Sequence, residues 1–340
     1  MADRRSDGFW RGKNVLVTGV GGFVATHLAG HLAAQGASVV GVLRDSRGGR
    51  RLRTFRLLDR IDVVHGPIED LALMERAFNE YEVEYCFHLA AQAIVGVANR
   101  SPLSTFESNI RGTWTVMEAA RNSKLIKGVV MASSDKVYGD QHILPYTEDS
   151  PLLAKYPYDA SKLCAEVIAR SYATTYDLPL GVVRCANIYG GGDLNWSRVV
   201  PGTIRSMLAG EEPVIRSDGT LERDYMHVSD AVSAYVTLAE QLERSDVRGE
   251  AFNFGWGKGY SVLEIVDTIL RQGGSSLSPR VMGENKGEIE KQWLDSGKAR
   301  EVLGWQPRVT LDEGIRSSIE WYREYLMTGE HIGEPEGLAV

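Results

Sequence analysis

The chain has 340 residues, of which 43% are hydrophobic, and its 38 lysines and arginines against 45 aspartates and glutamates give a net charge of −7. This length can bury a substantial core, and the acidic balance argues against a general nucleic-acid binder or a protein of acidic membranes. Three widely spaced cysteines predict reduced thiols rather than a disulfide framework. No stretch approaches the ~18 apolar residues of a membrane span, so we expect a soluble, cytoplasmic protein.

The first half of the chain alternates short β-rich runs with helical stretches. The predicted strands are NVLVTG, SVVGVL, IDVVHG, EYCFHLAA, KGVVMASS and PLGVVRC. The predicted helices are FVATHLAGHLAAQG, TWTVMEAARNS and SKLCAEVIARSYATTY. Strands that alternate with helices are typical of βαβ units, so the sequence predicts an α/β fold with a doubly wound parallel sheet.

The pattern changes after Asn187, where Gly-rich and Trp-containing segments such as YGGGDLNWSRVVPG replace the regular alternation. We predict a first domain over residues 1–186, completed by a return segment near 224–255, and a smaller interleaved α/β lobe over 187–327. Residues 328–340 lack periodicity and are expected to form a flexible tail.

A glycine-rich loop lies between the first predicted strand and helix, in VLVTGVGGFVATHL. Gly19 and Gly22 let the backbone approach a pyrophosphate, whose charge meets the amides and the positive dipole end of the helix. Ala25 takes the third position of the usual spacing, and Phe23 and Val24 begin the helix as further cofactor contacts. The flanking strand and helix favour a dinucleotide site over a plain tight turn.

The end of the second predicted strand leaves the type of dinucleotide open. A carboxylate there normally binds the ribose of a dinucleotide without a 2′-phosphate. Asp45 could accept a hydrogen bond from that ribose, whereas Arg44 could pair with a 2′-phosphate. We predict tightly bound NAD or NADP, with NAD slightly favoured. The arginines from Arg50 onward are interpreted as a solvated face.

Tyr158 stands four residues before Lys162 at the start of a predicted helix, so both side chains lie on one face. A phenol with a pKa near ~10 is a poor base at neutral pH. An ammonium one turn away is expected to lower that pKa, and the same lysine can bind the nicotinamide ribose. Ser134, at the end of a predicted strand, could share the substrate's hydroxyl proton with Tyr158.

Several segments together resemble the extended short-chain dehydrogenase/reductase superfamily of nucleotide-sugar enzymes: TGVGGFVATHL, FHLAAQ, NIRGTWTVMEAAR, SSDKVYG, YDASK and RCANIYGGGD. The resemblance implies a Rossmann-type domain that holds NAD(P) and a smaller C-terminal lobe that holds a nucleotide sugar. It also implies a homodimer formed through two helices per subunit, one of them the helix beginning near Ser161.

The resemblance also assigns roles to individual residues. Ser134, Tyr158 and Lys162 match the catalytic triad of the superfamily. Beyond the glycine-rich loop, the expected cofactor contacts are Ile68, Leu89, Ala90, Ala91, Asn109 and Cys185. The expected substrate contacts are Gln92, Ser134, Asn187, Arg198 and Arg223, of which Asn187 and Arg223 match residues that contact the diphosphate.

One departure concerns the adenine. The strand ending VVHG is followed by Gly66, Pro67 and Ile68, where the superfamily usually has an aspartate in place of Pro67. That carboxylate receives the adenine amino group, so adenine binding is expected to rely on the backbone of Ile68 or on another group.

Three histidines are interpreted as structural. His27 and His31 have an i, i+4 spacing that could bind a metal, but no third ligand is evident in the sequence, so no metal site is predicted. His88 lies in a predicted strand and is interpreted as a core histidine.

The residues after Ser134 distinguish two reactions. SSDKVYG resembles the Ser/Thr-Asp-Lys pattern of CDP-glucose 4,6-dehydratases, whereas 4-epimerases usually have small residues there because they need only reversible hydride transfer at C4. A dehydratase must also remove the C5 proton and assist loss of the C6 hydroxyl. We assign Asp135 as the acid at C6 and Lys136 as the base at C5. A surface ion pair is the alternative.

The sequence thus predicts a nucleotide-sugar 4,6-dehydratase, with an NAD-dependent 4-epimerase as the alternative. In an epimerase, Asp135 and Lys136 would be structural. A third hypothesis is a dinucleotide-binding scaffold without turnover, but relatives of that kind often lose the tyrosine–lysine pair, which is retained here. The nucleotide and the hexose stay open.

Overall fold

The computed structural model describes residues 8–45, 49–284 and 289–328. The main sheet contains the strands β1 Asn14–Thr18, β2 Ser38–Leu43, β3 Asp62–His65, β4 Tyr85–His88, β5 Gly128–Ala132, β6 Leu180–Cys185 and β11 Ala251–Phe254. Their order is β11-β6-β5-β4-β1-β2-β3, and every neighbouring pair is parallel. The six predicted strands are all present in this sheet.

Helices cover both faces of the sheet. They are α1 Phe23–Ala34, α2 Gly49–Thr54, α3 Leu71–Glu80, α4 Val95–Arg100, α5 Pro102–Phe106, α6 Gly112–Asn122, α7 Pro157–Tyr176, α8 Val199–Ala209, α9 Val228–Ala239, α10 Val262–Gln272 and α11 Leu311–Thr328. Alternate residues of β1 enter separate cores, because Val15 and Val17 pack with α1 and α9 whereas Leu16 packs with α3, α6 and α7. The doubly wound sheet is confirmed.

The chain after β6 contributes one strand to the main sheet and also forms smaller sheets. β11, from the predicted return segment, forms an edge of the main sheet. The remaining strands form smaller sheets: β7 Asn187–Tyr189 with β10 Tyr225–His227, β8 Val214–Ile215 with β13 Arg280–Val281, and β9 Glu222–Arg223 between β12 Tyr260–Ser261 and β14 Lys291–Gln292. The predicted tail lies outside the described residues apart from Thr328, which ends α11. Within the described ranges, no helix is long and apolar enough to cross a bilayer.

A buried ion pair joins β6 to α7. The side chains of Arg184 and Glu166 are each 1% exposed, and Arg184 Nε donates to Glu166 Oε2 at 3.1 Å. Ser133 Oγ donates to the same carboxylate at 2.6 Å, and Arg184 Nη1 donates to the Tyr138 hydroxyl at 2.7 Å. Since Tyr138 ends the 3₁₀ turn Asp135–Tyr138, the ion pair holds this turn against the sheet and α7.

Arg184→Met is expected to lower the free energy of unfolding by about 3–5 kcal/mol, because it leaves the Glu166 carboxylate buried without its charge partner. Urea denaturation measures this. Arg121→Met is the matched control, since Arg121 pairs with Glu118 at the surface and such pairs contribute about 1 kcal/mol or less. Equal losses in the two variants would contradict a structural role for the buried pair.

Candidate active site

The glycine-rich loop fits a dinucleotide. Gly19 has a φ of +69°, and a Cβ there would lie 2.7 Å from Ala90 Cα, so glycine alone suits this position. Gly22 is the N-cap of α1 and has no side chain, which leaves the first amides of the helix to an anion. Phe23 and Val24 form the first turn. The loop therefore has the close backbone approach and the helix N-terminus that a pyrophosphate requires.

The segment after β4 lies beside this loop. Ala90 N donates to Thr18 Oγ1 at 3.1 Å, and the Thr18 hydroxyl lies 2.9 Å from His88 Nδ1. His88 Nε2 lies 3.0 Å from Thr113 Oγ1, and burial lowers the pKa of His88 to about 3. The prediction of a core histidine is confirmed, and this neutral ring supports the segment that includes Leu89, Ala90 and Ala91.

Asn109 supports the same segment from behind. It is 2% exposed, its Oδ1 accepts from Gln92 N at 2.7 Å, and its Nδ2 donates to Ser161 Oγ at 2.8 Å. The amide thereby ties the backbone of Gln92 to α7. Of the other expected cofactor contacts, Ile68 and Cys185 are both 7% exposed, Ile68 packing near Gly112 and Cys185 ending β6.

The end of β2 does not decide between NAD and NADP. Arg44 and Asp45 are exposed and pair with each other, with Arg44 Nε 3.2 Å from Asp45 Oδ2. A ribose hydroxyl and a 2′-phosphate would each find one partner there.

The interpretation of the following arginines as a solvated face is wrong for Arg51. Its Nη1 donates to Gly21 O at 2.6 Å and its Nε donates to Gly192 O at 2.7 Å. Burial lowers the pKa of the Arg51 guanidinium, while the nearby Asp193 raises it. Arg51 therefore ties the glycine-rich loop to the GGGD segment, a contact between residues 141 positions apart in the chain.

His27 reinforces this junction. Its Nε2 lies 2.8 Å from Gly191 O, and burial lowers the pKa of His27 to about 4. The predicted structural role of His27 is confirmed. Within the described parts of the chain, no three His, Cys, Asp or Glu side chains come together as metal ligands.

The tyrosine–lysine pair lies in the first turns of α7. Lys162 Nζ donates to Ala132 O at 2.8 Å, and burial lowers the pKa of the Lys162 ammonium to about 8. Burial raises the pKa of Tyr158 to about 12, and a hydrogen bond with Ser134 acts against this rise. The predicted lowering of the Tyr158 pKa is therefore wrong for this structure, because desolvation of the phenolate outweighs the groups that stabilise it.

Asp135 and Lys136 turn inward beside this pair. Their side chains are 6% and 18% exposed, and Lys136 Nζ lies 3.8 Å from Asp135 Oδ2. Ser134 Oγ donates to Asp135 Oδ1 at 3.0 Å and accepts from Lys136 N at 3.2 Å. The alternative of a surface ion pair is wrong, since Ser134 and Asp135 are buried and Lys136 and Tyr158 beside them are only partly exposed.

Two residues that sequence reasoning missed interact with Lys136. Asp159 is 4% exposed, and burial raises its pKa to about 6 while the charge of Lys136 lowers it. Its place beside Tyr158 in YDASK is the signal that could have found it. Gln292 is 0% exposed and accepts a hydrogen bond from Lys136 Nζ at its Oε1. It comes from a distant strand, and nothing in its local sequence marks it.

Three of the expected substrate contacts, Asn187, Arg198 and Arg223, come from the chain after β6. Arg198 Nη1 donates to Asp193 Oδ2 at 3.0 Å, and the charge of Arg198 lowers the pKa of Tyr158. Asn187 and Arg223 lie on β7 and β9, with Arg223 Nη1 donating to Glu222 O at 2.8 Å.

Comparison with known proteins gives consistent matches. A model of the NAD dependent epimerase/dehydratase family matches residues 15–255. A CDP-glucose 4,6-dehydratase of Salmonella typhimurium is 32% identical over 336 residues, covering 94% of this chain and 92% of the relative. A UDP-glucose 4-epimerase of Mycolicibacterium smegmatis is 35% identical over 312 residues, covering 91% and 98%. The crystal structure of UDP-glucose 4-epimerase with UDP-glucose from Thermotoga maritima has a TM-score of 0.85 at 32% identity, covering 92% and 99%. These matches confirm the superfamily resemblance and include both reaction types.

Arg51→Met is expected to weaken NAD binding roughly 10- to 100-fold, because hydrogen bonds from a charged group contribute about 1.5–3 kcal/mol and these two hold the pyrophosphate loop. Equilibrium dialysis with NAD measures the change. Arg53→Met is the matched control, since Arg53 lies exposed on the same helix. A dissociation constant for the Arg51 variant equal to that of the control would exclude the role we assign to this side chain.

The depressed pKa of His88 predicts a pH-dependent stability. The folded protein keeps His88 neutral down to about pH 3, whereas the unfolded chain protonates it below about pH 6.5. Its stabilising contribution is therefore complete above pH 6.5 and falls as the pH drops, by about 1.4 kcal/mol per pH unit. Unfolding free energies of wild type and His88→Gln at about pH 7 and pH 5 isolate this residue, because the other groups cancel in the comparison. A loss of the same size in both proteins would contradict the prediction.

Proposed function

The chain belongs to the NAD dependent epimerase/dehydratase family, and we propose that within it the protein is a nucleotide-sugar 4,6-dehydratase. It would convert an NDP-hexose into an NDP-4-keto-6-deoxyhexose. The observation that supports the proposal is the placement of the buried Asp135 and the partly buried Lys136 beside Ser134 and Tyr158. Epimerisation needs only Ser134 and Tyr158, so Asp135 and Lys136 are available for the further proton transfers of a dehydratase, and their desolvation is offset in part by their pairing.

The cofactor in this proposal is NAD. The glycine-rich loop and the N-terminus of α1 would hold its pyrophosphate, and Lys162 would bind the nicotinamide ribose. When bound, NAD accepts a hydride from C4 of the sugar and later returns it to C6.

The first proton transfer belongs to Tyr158. It takes the proton of the C4 hydroxyl while the C4 hydride leaves, and the product is a 4-ketone. Ser134, which hydrogen bonds to Tyr158, stabilises the phenolate that this step requires.

Oxidation at C4 makes the C5 proton acidic, because the resulting carbanion is an enolate. Lys136, as the neutral amine, takes that proton, and Asp135, as the carboxylic acid, protonates the C6 hydroxyl, which leaves as water. Hydride return to C6 and proton return from Lys136 to C5 complete the product. The acid–amine pair has the same proton count as the ion pair at 3.8 Å, so a proton transfer from Lys136 to Asp135 produces it.

One proton then remains to be moved. After the reaction Tyr158 has gained a proton and Asp135 has lost one. Ser134 hydrogen bonds to both groups, with its Oγ 3.0 Å from Asp135 Oδ1. A transfer from Tyr158 through the Ser134 hydroxyl to Asp135 restores both residues for the next cycle.

A homodimer is part of the proposal. Helices α5, α6 and α7 expose the apolar side chains of Leu103, Trp114 and Val167, which are 72%, 44% and 59% exposed. Large exposed apolar side chains on neighbouring helices suit a symmetric helix-to-helix interface.

A 4-epimerase is the second candidate, favoured by the 35% identity to the M. smegmatis enzyme. The products separate the two. A dehydratase yields a ketone that absorbs in alkali and has lost the mass of water, whereas an epimerase yields an isomer of unchanged mass. A thermal-shift screen of CDP-, GDP-, dTDP- and UDP-hexoses selects the substrate, because a bound ligand stabilises the native state.

The double variant Asp135→Asn, Lys136→Ala is expected to oxidise the sugar at C4 yet release no water, because both groups for the C5 and C6 proton transfers are gone. The absorbance of reduced nicotinamide follows the first event and mass spectrometry follows the second. Tyr158→Phe is the control and should bind NAD but show neither. Dehydration by the double variant would refute the assignment, and an isomeric wild-type product would establish the epimerase.

A further inference from the structure

Gln292 connects the C-terminal lobe to the acid–base pair. Its side chain is fully buried, and both ends of its amide bind the turn that follows β5. Oε1 accepts from Lys136 Nζ, and Nε2 donates to Asp135 O at 2.8 Å. One side chain therefore holds the ammonium or amine of Lys136 and the backbone of Asp135 together.

The strand that carries Gln292 is held on both sides. Gln292 lies opposite Arg223 in the parallel pairing of β14 with β9, and Asp224 N donates to Gln292 O at 3.0 Å. On the other side, Tyr146 N donates to Trp293 O at 3.0 Å. One small sheet therefore carries both Gln292, which binds Lys136, and Arg223, which is an expected contact of the substrate's diphosphate.

We infer that Gln292 is a positioning residue for dehydration, which directs Lys136 toward C5 of the hexose and fixes Asp135 in register with the strand of Arg223. The inference rests on the proposed dehydratase function. Lysine has four rotatable side-chain bonds, and proton transfer requires the nitrogen to lie within about 3 Å of the C–H. A displacement of about 1 Å at a reacting group costs on the order of 100-fold in rate.

The neutrality of the glutamine amide matters. Two carboxyl groups already lie near Lys136, that of Asp135 at 3.8 Å and that of Asp159, whose pKa the charge of Lys136 lowers against the effect of burial. A third carboxylate at position 292 would favour the ammonium, which cannot accept a proton. An amide oxygen binds the Lys136 nitrogen in either protonation state, so it orients the base without preventing its action.

The first test compares Gln292→Met, which keeps the volume and removes both hydrogen bonds, with Lys291→Met. Lys291 is the matched control, because it lies on the same strand with its side chain 55% exposed. For Gln292→Met we expect kcat for dehydration to fall roughly 100-fold with KM within about threefold of wild type. Reduced nicotinamide should accumulate, since C4 oxidation continues, and a C5-deuterated substrate should show a larger isotope effect than with wild type.

The second variant is Gln292→Glu, which keeps an acceptor for Lys136 and favours its ammonium. It should retain KM and lose kcat, again with reduced nicotinamide accumulating. If Gln292→Met does not fold, Gln292→Glu alone tests whether Gln292 positions Lys136.

Other outcomes overturn the inference. Dehydration by Gln292→Met within about threefold of wild type would show that Lys136 needs no such support. An equal loss of C4 oxidation and dehydration, or failure of both variants to fold, would assign Gln292 a purely structural role. Failure of wild type and Lys291→Met to dehydrate any hexose would instead remove the proposed function, and the inference with it.

Discussion

The buried ion pair between Arg184 and Glu166 determines where the reactive groups lie relative to one another. It joins the strand β6 to the helix of Tyr158 and Lys162, and through Ser133 and Tyr138 it holds the 3₁₀ turn on which the acid–base pair lies. A buried ion pair adds little net stability compared with well-packed apolar residues. Here it fixes orientation, because charge-assisted hydrogen bonds form only within a narrow range of geometry, whereas apolar contacts tolerate many arrangements. One network thus holds both the helix of the tyrosine–lysine pair and the turn of Asp135 and Lys136.

Local patterns were sufficient for six of the seven strands of the main sheet. Parallel strands buried on both faces are near-continuous apolar runs, and six such runs became β1 to β6 in the expected order along the chain. The glycine-rich loop could also be predicted, because Gly19 has a positive φ, a conformation for which sequences usually use glycine. The small sheets formed after β6 could not be predicted, because strands such as Glu222–Arg223 and Lys291–Gln292 are two residues long and their partners are distant in the chain.

The errors in the site have the same origin. Arg51 was interpreted from its arginine-rich neighbours, but its role comes from Gly192, which folds against it from another part of the chain. The acidity of Tyr158 was inferred from the spacing to Lys162, whereas the extent of burial, a property of the whole fold, decides the direction of its pKa. Nothing in the sequence around Gln292 indicated its contacts with Lys136 and Asp135. The spacing of Tyr158 and Lys162 correctly placed both residues on one helix, but it could not predict the contacts and the burial that tertiary packing imposes on them.

The two reactions of this family share hydride transfer at C4 and differ in the later steps at C5 and C6. In our proposal the shared step uses Ser134, Tyr158 and Lys162. The additional step uses Asp135 and Lys136, but their orientation depends on Gln292 from a distant strand. In our proposal, dehydration adds to the shared hydride transfer two ionisable groups in one turn, with the neutral amide of Gln292 as their hydrogen-bond partner.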